Sequence, residues 1–367
     1  MGLYTAKRRP LKTFFIAAVS GCLTLTLAGC AGGSNGDAGG KTTLKFASGL
    51  PENLYISKAY ADWAAEVEEI SGGEVEFDDY YAGSLVSQTD VAKAVSDGQV
   101  ELGQFAPNTL PDKFKYTVVD SIPGAATDVG AVIAAYRKLY ETKPELEAEW
   151  TKSGMVPLLV QPVAANVLAS TKELNSYEDV RGLRVRASGP MLSVMDELGA
   201  TTVTLPQVEI YEGLQRGVVD AATSLTLPSA ASQSFGEVAS RVYDVGLPTA
   251  GLVVVVMNKS AYDDLPGEIK DAFAKAKDNA DKAWVDRLTE AGAQTCEPLA
   301  EQGAELIAWN DSQKKALQDA SFAPAQEAFK ATIPDGDAYW DEWQGLMAGY
   351  DGEYGHYDGS DIAGCLK

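Results

Sequence analysis

Residues 181–204 read RGLRVRASGPMLSVMDELGATTVT, and this stretch decides the fold. Apolar and charged residues alternate up to Arg186, which predicts a short strand, and residues 187–190 predict a turn. Residues 191–198 place apolar side chains at helical spacing, and residues 202–204 begin a second strand. Strand, helix, strand is the crossover unit of a parallel sheet, and ligands bind such sheets at the carboxyl ends of the strands. The pattern therefore predicts that Arg186 stands at a ligand-binding edge.

The alternation of predicted strands and helices continues after this stretch. Residues 206–214 predict a second helix and residues 218–220 a third strand, so two crossover units follow one another. The unbroken apolar run of residues 252–257 predicts a strand buried on both faces. After Pro266, apolar residues recur at spacings of three and four up to residue 288, which predicts one long helix. The fold class predicted is α/β.

Four short motifs, in this order along the chain, make it resemble the extracytoplasmic solute-binding subunits of TRAP transporters, the tripartite secondary transporters that take up organic acids. The resemblance covers about Thr43 to Lys330, and its motifs are SGGEVEF followed by YAGSL (residues 71–85), EDVRGLRVR (178–186), VEIYEGLQRGVVD (208–220) and MNKSAYDDLPGE (257–268). It implies a two-lobed periplasmic-binding-protein-like fold of type II. Each lobe would be a mixed sheet flanked by helices, with the long helix spanning both lobes.

The resemblance also implies how the chain divides between the lobes. We expect residues 42–163 and 252–290 to form the first lobe, and residues 164–251 and 291–367 to form the second. The chain would then cross between the lobes three times. Three crossings suit two lobes that close on a ligand.

The first 29 residues have the pattern of a signal peptide: a basic start, an apolar run over residues 14–27 and small residues at the end. Leu27-Ala28-Gly29-Cys30 matches the lipobox of bacterial lipoproteins, so we expect cleavage before Cys30 and acylation of its thiol. Residues 30–41 would be a flexible tether. The alternative is a transmembrane helix, which the short apolar run and its small residues argue against.

The chain is strongly acidic. Its formal net charge is −22, and loss of a leader with four cations and no acid gives the mature chain −26. Nucleic-acid binding and electrostatic adhesion to anionic lipid are therefore not expected. An anionic ligand would have to be attracted by a local positive site against this long-range field.

The four cysteines are expected to have different roles. Cys22 leaves with the leader and Cys30 would carry lipid, so Cys296 and Cys365 remain in an oxidising compartment. We expect them to form a disulfide that fixes the C-terminal tail. Two buried free thiols are the alternative.

Arg186 is the main candidate for ligand binding. In the TRAP family the arginine that ends the G-L-x-x-R strand binds the ligand carboxylate, and Arg186 occupies that place. A guanidinium can hold a carboxylate through two parallel hydrogen bonds. The alternative is a structural ion pair, which is the role expected for Arg184, a step further from the edge.

Around Arg186 the sequence departs from the family pattern. Where the family often has a second arginine, Asn166 stands nearest, and Ser224 is offered where an asparagine is common. Gln207 stands where an aromatic residue is frequent. A ligand with a single carboxylate and a less polar remainder is implied. From the first lobe, strand-to-helix turns supply four more candidates, whose polar members either contact ligand or cap loops: Leu50, Tyr81, Gln104 and Asn108.

Enzyme and metal functions have little support in the sequence. The only histidine is His356, and the chain has no G-x-S-x-G elbow, P-loop or H-E-x-x-H motif, so we expect neither catalysis nor a cofactor. Candidate ligands for a cation occur near the C-terminus, but their spacing does not fit an EF-hand, and we expect a solvated tail without metal. These residues are Asp351, Glu353, His356, Asp358 and Asp361.

The sequence thus predicts an extracytoplasmic, lipid-anchored binding protein. It would capture a small organic acid between two lobes and deliver it to separately encoded membrane subunits. One alternative is a ligand-sensing lipoprotein that reports to a membrane receptor. The other is an exported hydrolase, which would need a nucleophile with a base within reach.

Overall fold

Two β-sheets organise the chain in a computed structural model, which describes residues 41–126, 128–249 and 251–357 together with residues 362 and 365. The predicted signal peptide, the lipobox and nearly all of the tether lie outside the described residues, as do Asp358 and Asp361. In chain order the strands are β1 (Thr42–Ser48), β2 (Val75–Tyr80), β3 (Leu102–Phe105), β4 (Met155–Pro162), β5 (Leu168–Ser170), β6 (Arg184–Arg186), β7 (Thr201–Val203), β8 (Ala221–Ala222), β9 (Arg241–Asp244), β10 (Leu252–Asn258) and β11 (Glu305–Ala308).

Helices flank both sheets. In chain order they are α1 (Tyr55–Ile70), α2 (Val91–Ser96), α3 (Val129–Thr142), α4 (Pro144–Lys152), α5 (Met191–Glu197), α6 (Ile210–Gln215), α7 (Leu227–Ser232), α8 (Lys259–Asp264), α9 (Gly267–Ala293), α10 (Cys296–Glu301), α11 (Asp311–Lys330) and α12 (Gly336–Ala348). Within the described part of the chain, none of them is long and apolar enough to cross a membrane.

The first lobe is built on a five-stranded sheet in the order β2-β1-β3-β10-β4. Strand β1 pairs in parallel with β2 and β3, whereas β10 is antiparallel to both of its neighbours. The apolar run predicted as a fully buried strand is β10, and six of its seven residues are buried. Its return to this sheet agrees with the sequence prediction.

The second lobe is built on a six-stranded sheet in the order β11-β9-β5-β8-β6-β7. Strand β6 pairs in parallel with β7 and β8, so the two predicted crossover units are present. The third strand begins at Ala221, however, and not at Val218. The N–H groups of Val218 and Val219 both donate to the carbonyl of Gly213, which keeps these residues in the turn that ends α6.

The long helix α9 has 27 residues and begins directly after Pro266, as predicted. It packs against α1 and β4 of the first lobe and against α7 of the second, so the prediction of a helix spanning both lobes is confirmed. Helix α11 is capped by Asn310, the residue directly before its first turn. Asn310 and Gln313 form a reciprocal capping box, which satisfies two N–H groups that a helix start leaves free.

The C-terminal segment differs from the expected division into lobes. Residues 291–367 were assigned to the second lobe, but α12 packs against α3 of the first. The reason is its aromatic face: Trp343 is fully buried in the first-lobe core, and its indole N–H donates to the carbonyl of Ala125 at 2.8 Å. The Tyr339 hydroxyl likewise donates to the carbonyl of Tyr116 at 3.0 Å. The polypeptide therefore returns to the first lobe after α11.

The structure joins Cys296, at the start of α10, to Cys365 in a disulfide, with their Cα atoms 5.4 Å apart. The bridge closes a segment with a sequence separation of 69 residues. It ties the end of the chain to the second lobe, so the C-terminal segment is held by both lobes.

Reduction of this disulfide should destabilise the protein. A closed loop of this length restricts the unfolded chain by about 4 kcal/mol on the chain-entropy model. We expect reductant, or the double variant Cys296→Ser with Cys365→Ser, to lower the thermal unfolding midpoint of the mature domain. An unchanged midpoint, together with two titratable thiols in the untreated protein, would contradict the pairing.

Candidate functional site

A cavity with about 90 Å³ of space accessible to water lies between the two sheets. The first lobe contributes residues that follow β1, β2, β3 and β4, and the second lobe contributes residues at or after the ends of β6, β7 and β8. Three parallel strands therefore present their carboxyl ends to the cavity, as expected for ligand sites in α/β sheets. Six of the eight predicted ligand-binding residues line it: Leu50, Asn108, Asn166, Arg186, Gln207 and Ser224.

Arg186 is the last residue of β6, and only 3% of its surface is exposed. Backbone carbonyls hold its guanidinium: Nε donates to Leu205 at 3.1 Å, and Nη1 donates to Thr223 at 2.9 Å and to Ser224 at 3.2 Å. These carbonyls follow β7 and β8. The two crossover units thus build the cradle that fixes the guanidinium plane.

No carboxylate compensates the charge of Arg186 within the described part of the chain, where it forms no ion pair. Burial lowers the pKa of this guanidinium to about 10. Arg184, two residues earlier on β6, is half-exposed and forms the expected ion pair, with Nη2 at 2.9 Å from Asp220 Oδ1 and Nε at 3.0 Å from Oδ2. Its hydrogen bonds lower the pKa of Asp220. One strand therefore carries a paired arginine and an unpaired, buried one.

The carbonyl cradle decides which part of Arg186 can bind a ligand. Since Nε and Nη1 are engaged, Nη2 is the guanidinium nitrogen that has no acceptor among residues the structure describes. The sequence suggested a carboxylate held by two parallel hydrogen bonds from two nitrogens. In this structure only Nη2 remains to donate to another group in the cavity.

Ser224 connects the loops on either side of Arg186. Its backbone is left-handed (φ 57°), a conformation that costs free energy for a residue other than glycine. Its hydroxyl donates to the carbonyl of Ser188 at 3.0 Å and accepts from the Ser188 N–H at 2.9 Å. These bonds hold the turn after β6 against the loop after β8. Ser224 therefore positions the cavity wall, and its backbone carbonyl accepts a hydrogen bond from Arg186.

Asn166 lies where the chain passes between the lobes, and only 2% of its surface is exposed. Its Nδ2 donates to the carbonyls of Pro248 at 2.9 Å and Thr249 at 3.2 Å. Its Oδ1 is buried and has no hydrogen-bond donor among the described residues. Asn166 therefore lines the cavity without a positive charge, and its unsatisfied Oδ1 is buried in the protein with almost no accessible surface.

Gln207 and Gln88 close the cavity from opposite lobes. The backbone N–H of Gln207 donates to Gln88 Oε1 at 2.9 Å. Sequence reasoning missed Gln88, which reaches the cavity because Gly49 leaves room: a Cβ at Gly49 would lie 2.3 Å from Gln88 Cβ. Asn108 has a similar arrangement, since a Cβ at Gly251 would lie 2.7 Å from its Nδ2. The sequence gives no local signal for these contacts, because Gly49 and Gln88, like Gly251 and Asn108, are distant from each other in the chain.

Two predicted residues do not line the cavity. Tyr81 follows β2, the outer strand of its sheet, and packs edge-on against Phe46 with ring centroids 5.7 Å apart. Gln104 sits inside the sheet opposite Ser48, accepts from its hydroxyl at 3.0 Å and donates to Gln161 Oε1 at 2.8 Å. Gln104 is buried in the first lobe and Tyr81 packs against its aromatic residues, so neither side chain lines this cavity. Their role as ligand contacts stays a prediction that this cavity does not support.

Two further hydroxyl groups line the cavity on its second-lobe side, and the sequence analysis did not identify them. Thr226 caps α7, and its Oγ1 lies 3.0 Å from Ser229 Oγ. Thr226 is followed two residues later by Pro228, a pattern typical of a helix start. This pattern could have identified Thr226 in the sequence. Both side chains are buried at the cavity wall.

The described residues contain no group of three His, Cys, Asp or Glu side chains that could hold a metal ion. Two members of the acidic C-terminal set lie outside them. His356 is near one carboxylate, with Nδ1 3.0 Å from Asp128 Oδ2.

A buried carboxyl lies directly behind the cavity. Asp120 precedes Ser121, which lines the cavity, and its backbone carbonyl accepts from the Thr249 hydroxyl at 3.0 Å. Only 1% of Asp120 is exposed. Burial raises its pKa to about 7, against the opposing effect of a hydrogen bond from Tyr136 at 3.0 Å. The sequence analysis did not single out Asp120.

Asp120 should make stability fall as the pH rises. Between the ordinary carboxyl pKa near 3.8 and about 7, the folded state keeps a proton that the unfolded state has lost. Ionisation in the folded state then costs roughly 4 kcal/mol, at about 1.4 kcal/mol per pKa unit. We expect Asp120→Asn to gain stability relative to the parent from pH 4 to pH 7, measured by denaturant unfolding.

Asp220→Asn is the matched control with the opposite sign. The pKa of Asp220 is lowered by Arg184, so its stabilising contribution is present at neutral pH and disappears as the pH falls. That variant should lose stability relative to the parent mainly at neutral pH. A difference between Asp120→Asn and the parent that does not change with pH would contradict the assignment for Asp120.

The comparisons with known proteins agree with this architecture. The model of bacterial extracellular solute-binding protein family 7 matches residues 46–332. A monocarboxylate 2-oxoacid-binding periplasmic protein of Nostoc is 25% identical over 71% of this chain and 71% of its own length. A TRAP solute-binding protein of Rhodoferax ferrireducens, in complex with copurified benzoate, superposes with a TM-score of 0.76 at 20% identity, covering 84% of this chain and 98% of that protein.

An extracytoplasmic solute receptor of Bordetella pertussis that binds pyroglutamic acid superposes with a TM-score of 0.74 at 22% identity, over 83% of this chain and all of that protein. These structures share the two-lobed fold. The prediction of a binding protein, not an enzyme, agrees with the family, whose members are solute-binding proteins. The chain belongs to the bacterial extracellular solute-binding proteins of family 7.

Proposed function

We propose that the cavity captures a small organic acid by pairing one carboxylate with Arg186. The observation that carries this proposal is the buried guanidinium without an acidic partner in the described chain. A carboxylate on Nη2 would supply the missing negative charge inside a site shielded from water, where such a pair is strong. Binding would therefore offset the free energy that it costs the protein to bury the charge of Arg186 without a compensating carboxylate.

The lining supports a ligand with one carboxylate and an apolar remainder. Beyond the polar groups already described, the wall is made of Leu50, Leu54, Ile56, Val163, Met191, Leu225 and Val253. The cavity volume of about 90 Å³ is several times the roughly 10–15 Å³ that a single water needs, which suits a short organic acid. The named ligands of the Nostoc, Rhodoferax and Bordetella proteins are organic acids too.

Attraction of the acid would be local. With a net charge of −26, the mature chain repels anions at long range, and this repulsion weakens beyond the Debye length of about 8 Å at physiological salt. Affinity then depends on the short-range contacts of Arg186 and on shape. We expect binding to strengthen modestly as salt screens the repulsion.

Binding of an acid should stabilise the protein in a way that depends on Arg186. We expect an acid from a panel of monocarboxylates, dicarboxylates, sugar acids and neutral sugars to raise the unfolding midpoint of the mature domain. At a hundred times its dissociation constant, a ligand adds about 2.7 kcal/mol to the free energy of unfolding. Arg186→Gln, which keeps hydrogen-bond donors but not the charge, should abolish this increase.

Arg184→Gln is the matched control, because it removes an arginine from the same strand without touching the cavity. It should keep the ligand response. Stabilisation by neutral sugars alone, or an unchanged response in Arg186→Gln, would contradict the carboxylate anchor. Recovery of the bound acid unaltered separates binding from the alternative of an exported hydrolase.

We further propose that the mature protein is a lipoprotein, tethered by Cys30, that delivers the acid to separate TRAP membrane subunits. The lipobox at residues 27–30 and the small, polar residues after it support the anchor. Membership of the solute-binding family supports a transport role over the alternative of a sensor for a membrane receptor.

Replacement of Cys30 by serine should release the protein from the membrane, since acylation needs the thiol. In an export-competent bacterium, the parent should fractionate with membranes and carry a lipid-modified N-terminal cysteine by mass spectrometry. Cys30→Ser should lack the modification. An unmodified parent found in the soluble exported fraction would contradict the anchor.

A further inference from the structure

Two hydrogen bonds cross from the first lobe to the second beside the cavity. Gln88 Oε1, in the loop after β2, accepts from the backbone N–H of Gln207 at 2.9 Å. Asn53 Nδ2, in the loop after β1, donates to the backbone carbonyl of Ser232 at 2.9 Å. In each bond a side chain of the first lobe meets the main chain of the second. Separation of the lobes at this side of the cavity has to break both bonds.

The two main-chain partners belong to helix ends. Gln207 begins the short helical turn (Gln207–Glu209) that leads into α6, and Ser232 is the last residue of α7. The first N–H groups and the last carbonyls of a helix have no hydrogen-bond partner within it. The first lobe therefore caps two helix ends of the second lobe.

Both side chains extend from ordered parts of the first lobe. A Cβ at Gly49 would lie 2.3 Å from Gln88 Cβ, so the main chain at Gly49 packs directly against this side chain. Gly49 precedes Leu50 and Asn53 precedes Leu54, and both leucines line the cavity. Because these segments are already packed, the two bonds cost less conformational entropy than bonds from free loops would.

The capped elements also hold Arg186. Leu205, whose carbonyl accepts from Arg186 Nε at 3.1 Å, lies shortly before Gln207. Ser224, whose carbonyl accepts from Arg186 Nη1 at 3.2 Å, lies shortly before α7. A short segment thus connects each interlobe bond to the guanidinium. Contact between the lobes and orientation of Arg186 depend on the same two loops.

We propose that Gln88 and Asn53 are positioning residues that hold the two lobes together over the cavity, each by capping a helix end of the second lobe. Gln88 acts as an acceptor and Asn53 as a donor, and the N–H and carbonyl that they face fix both amide orientations. Slower escape of a bound acid is the consequence for the proposed function and rests on it. The contact between the lobes does not.

Substitutions that keep the size of the side chain distinguish the two roles. Gln88→Glu keeps an acceptor facing the N–H of Gln207, and a negative charge is favourable at the start of a helical turn, so this bond should be retained. Asn53→Asp places an acceptor against the carbonyl of Ser232, so this bond should be lost. Gln88→Ala and Asn53→Ala should each lose their bond.

Spin-label distances in the ligand-free mature domain, measured by pulsed electron paramagnetic resonance, test the proposal. Labels attached through Glu69→Cys on α1 and Gln215→Cys on α6, both exposed positions, report the separation of the lobes. In Gln88→Ala, Asn53→Ala and Asn53→Asp we expect the ratio of closed to open populations to fall about two- to tenfold, the effect of one net hydrogen bond. Gln88→Glu should keep the ratio of the parent.

A parent that is entirely open, or one ratio shared by the parent and all four variants, overturns the proposal. A decrease in Gln88→Glu as large as that in Gln88→Ala overturns the acceptor role of Gln88. Because no ligand is present, these outcomes do not depend on whether an acid binds at Arg186. The unfolding measurements with the panel of acids decide that question separately.

Discussion

The buried guanidinium of Arg186 is the constraint on which the rest of the site depends. Short parallel strands end together, so the carbonyls after β7 and β8 converge on the last residue of β6. Those carbonyls orient the guanidinium but carry no net charge, and burial lowers the pKa of Arg186. The fold thus keeps one cation desolvated between two lobes, an arrangement that disfavours the empty state and favours an anionic ligand.

Arg184 and Arg186 show how two residues of one strand acquire opposite roles. The first lies nearer solvent, where an aspartate can reach it, and the pair is structural. The second enters the cavity, whose described wall contains no acid. In a chain with a net charge of −22, keeping acids away from one arginine is a specific feature of the site. The acidity of the rest of the surface serves solubility and leaves recognition to short-range contacts.

The sequence predicted where helices and strands occur better than it predicted which of them lie next to each other in the structure. Hydrophobic periodicity located β6, α5, β10 and α9, and it placed Arg186 at a strand end. It could not give contacts between distant parts of the chain, so Tyr81 was assigned to the site although its ring packs against Phe46. Gln104 lies outside the cavity for a related reason, because its hydrogen-bond partner Ser48 is 56 residues away in the chain. The contacts of Gln88 and of α12 are likewise tertiary and leave no local pattern.

A crystal structure of the mature domain with a bound acid would test the central claim most directly. The account predicts a carboxylate oxygen within hydrogen-bond distance of Arg186 Nη2, while Nε and Nη1 keep their bonds to the carbonyls of Leu205, Thr223 and Ser224. An acid bound in the cavity with its carboxylate away from Arg186, or bound at another place on the protein, would contradict it.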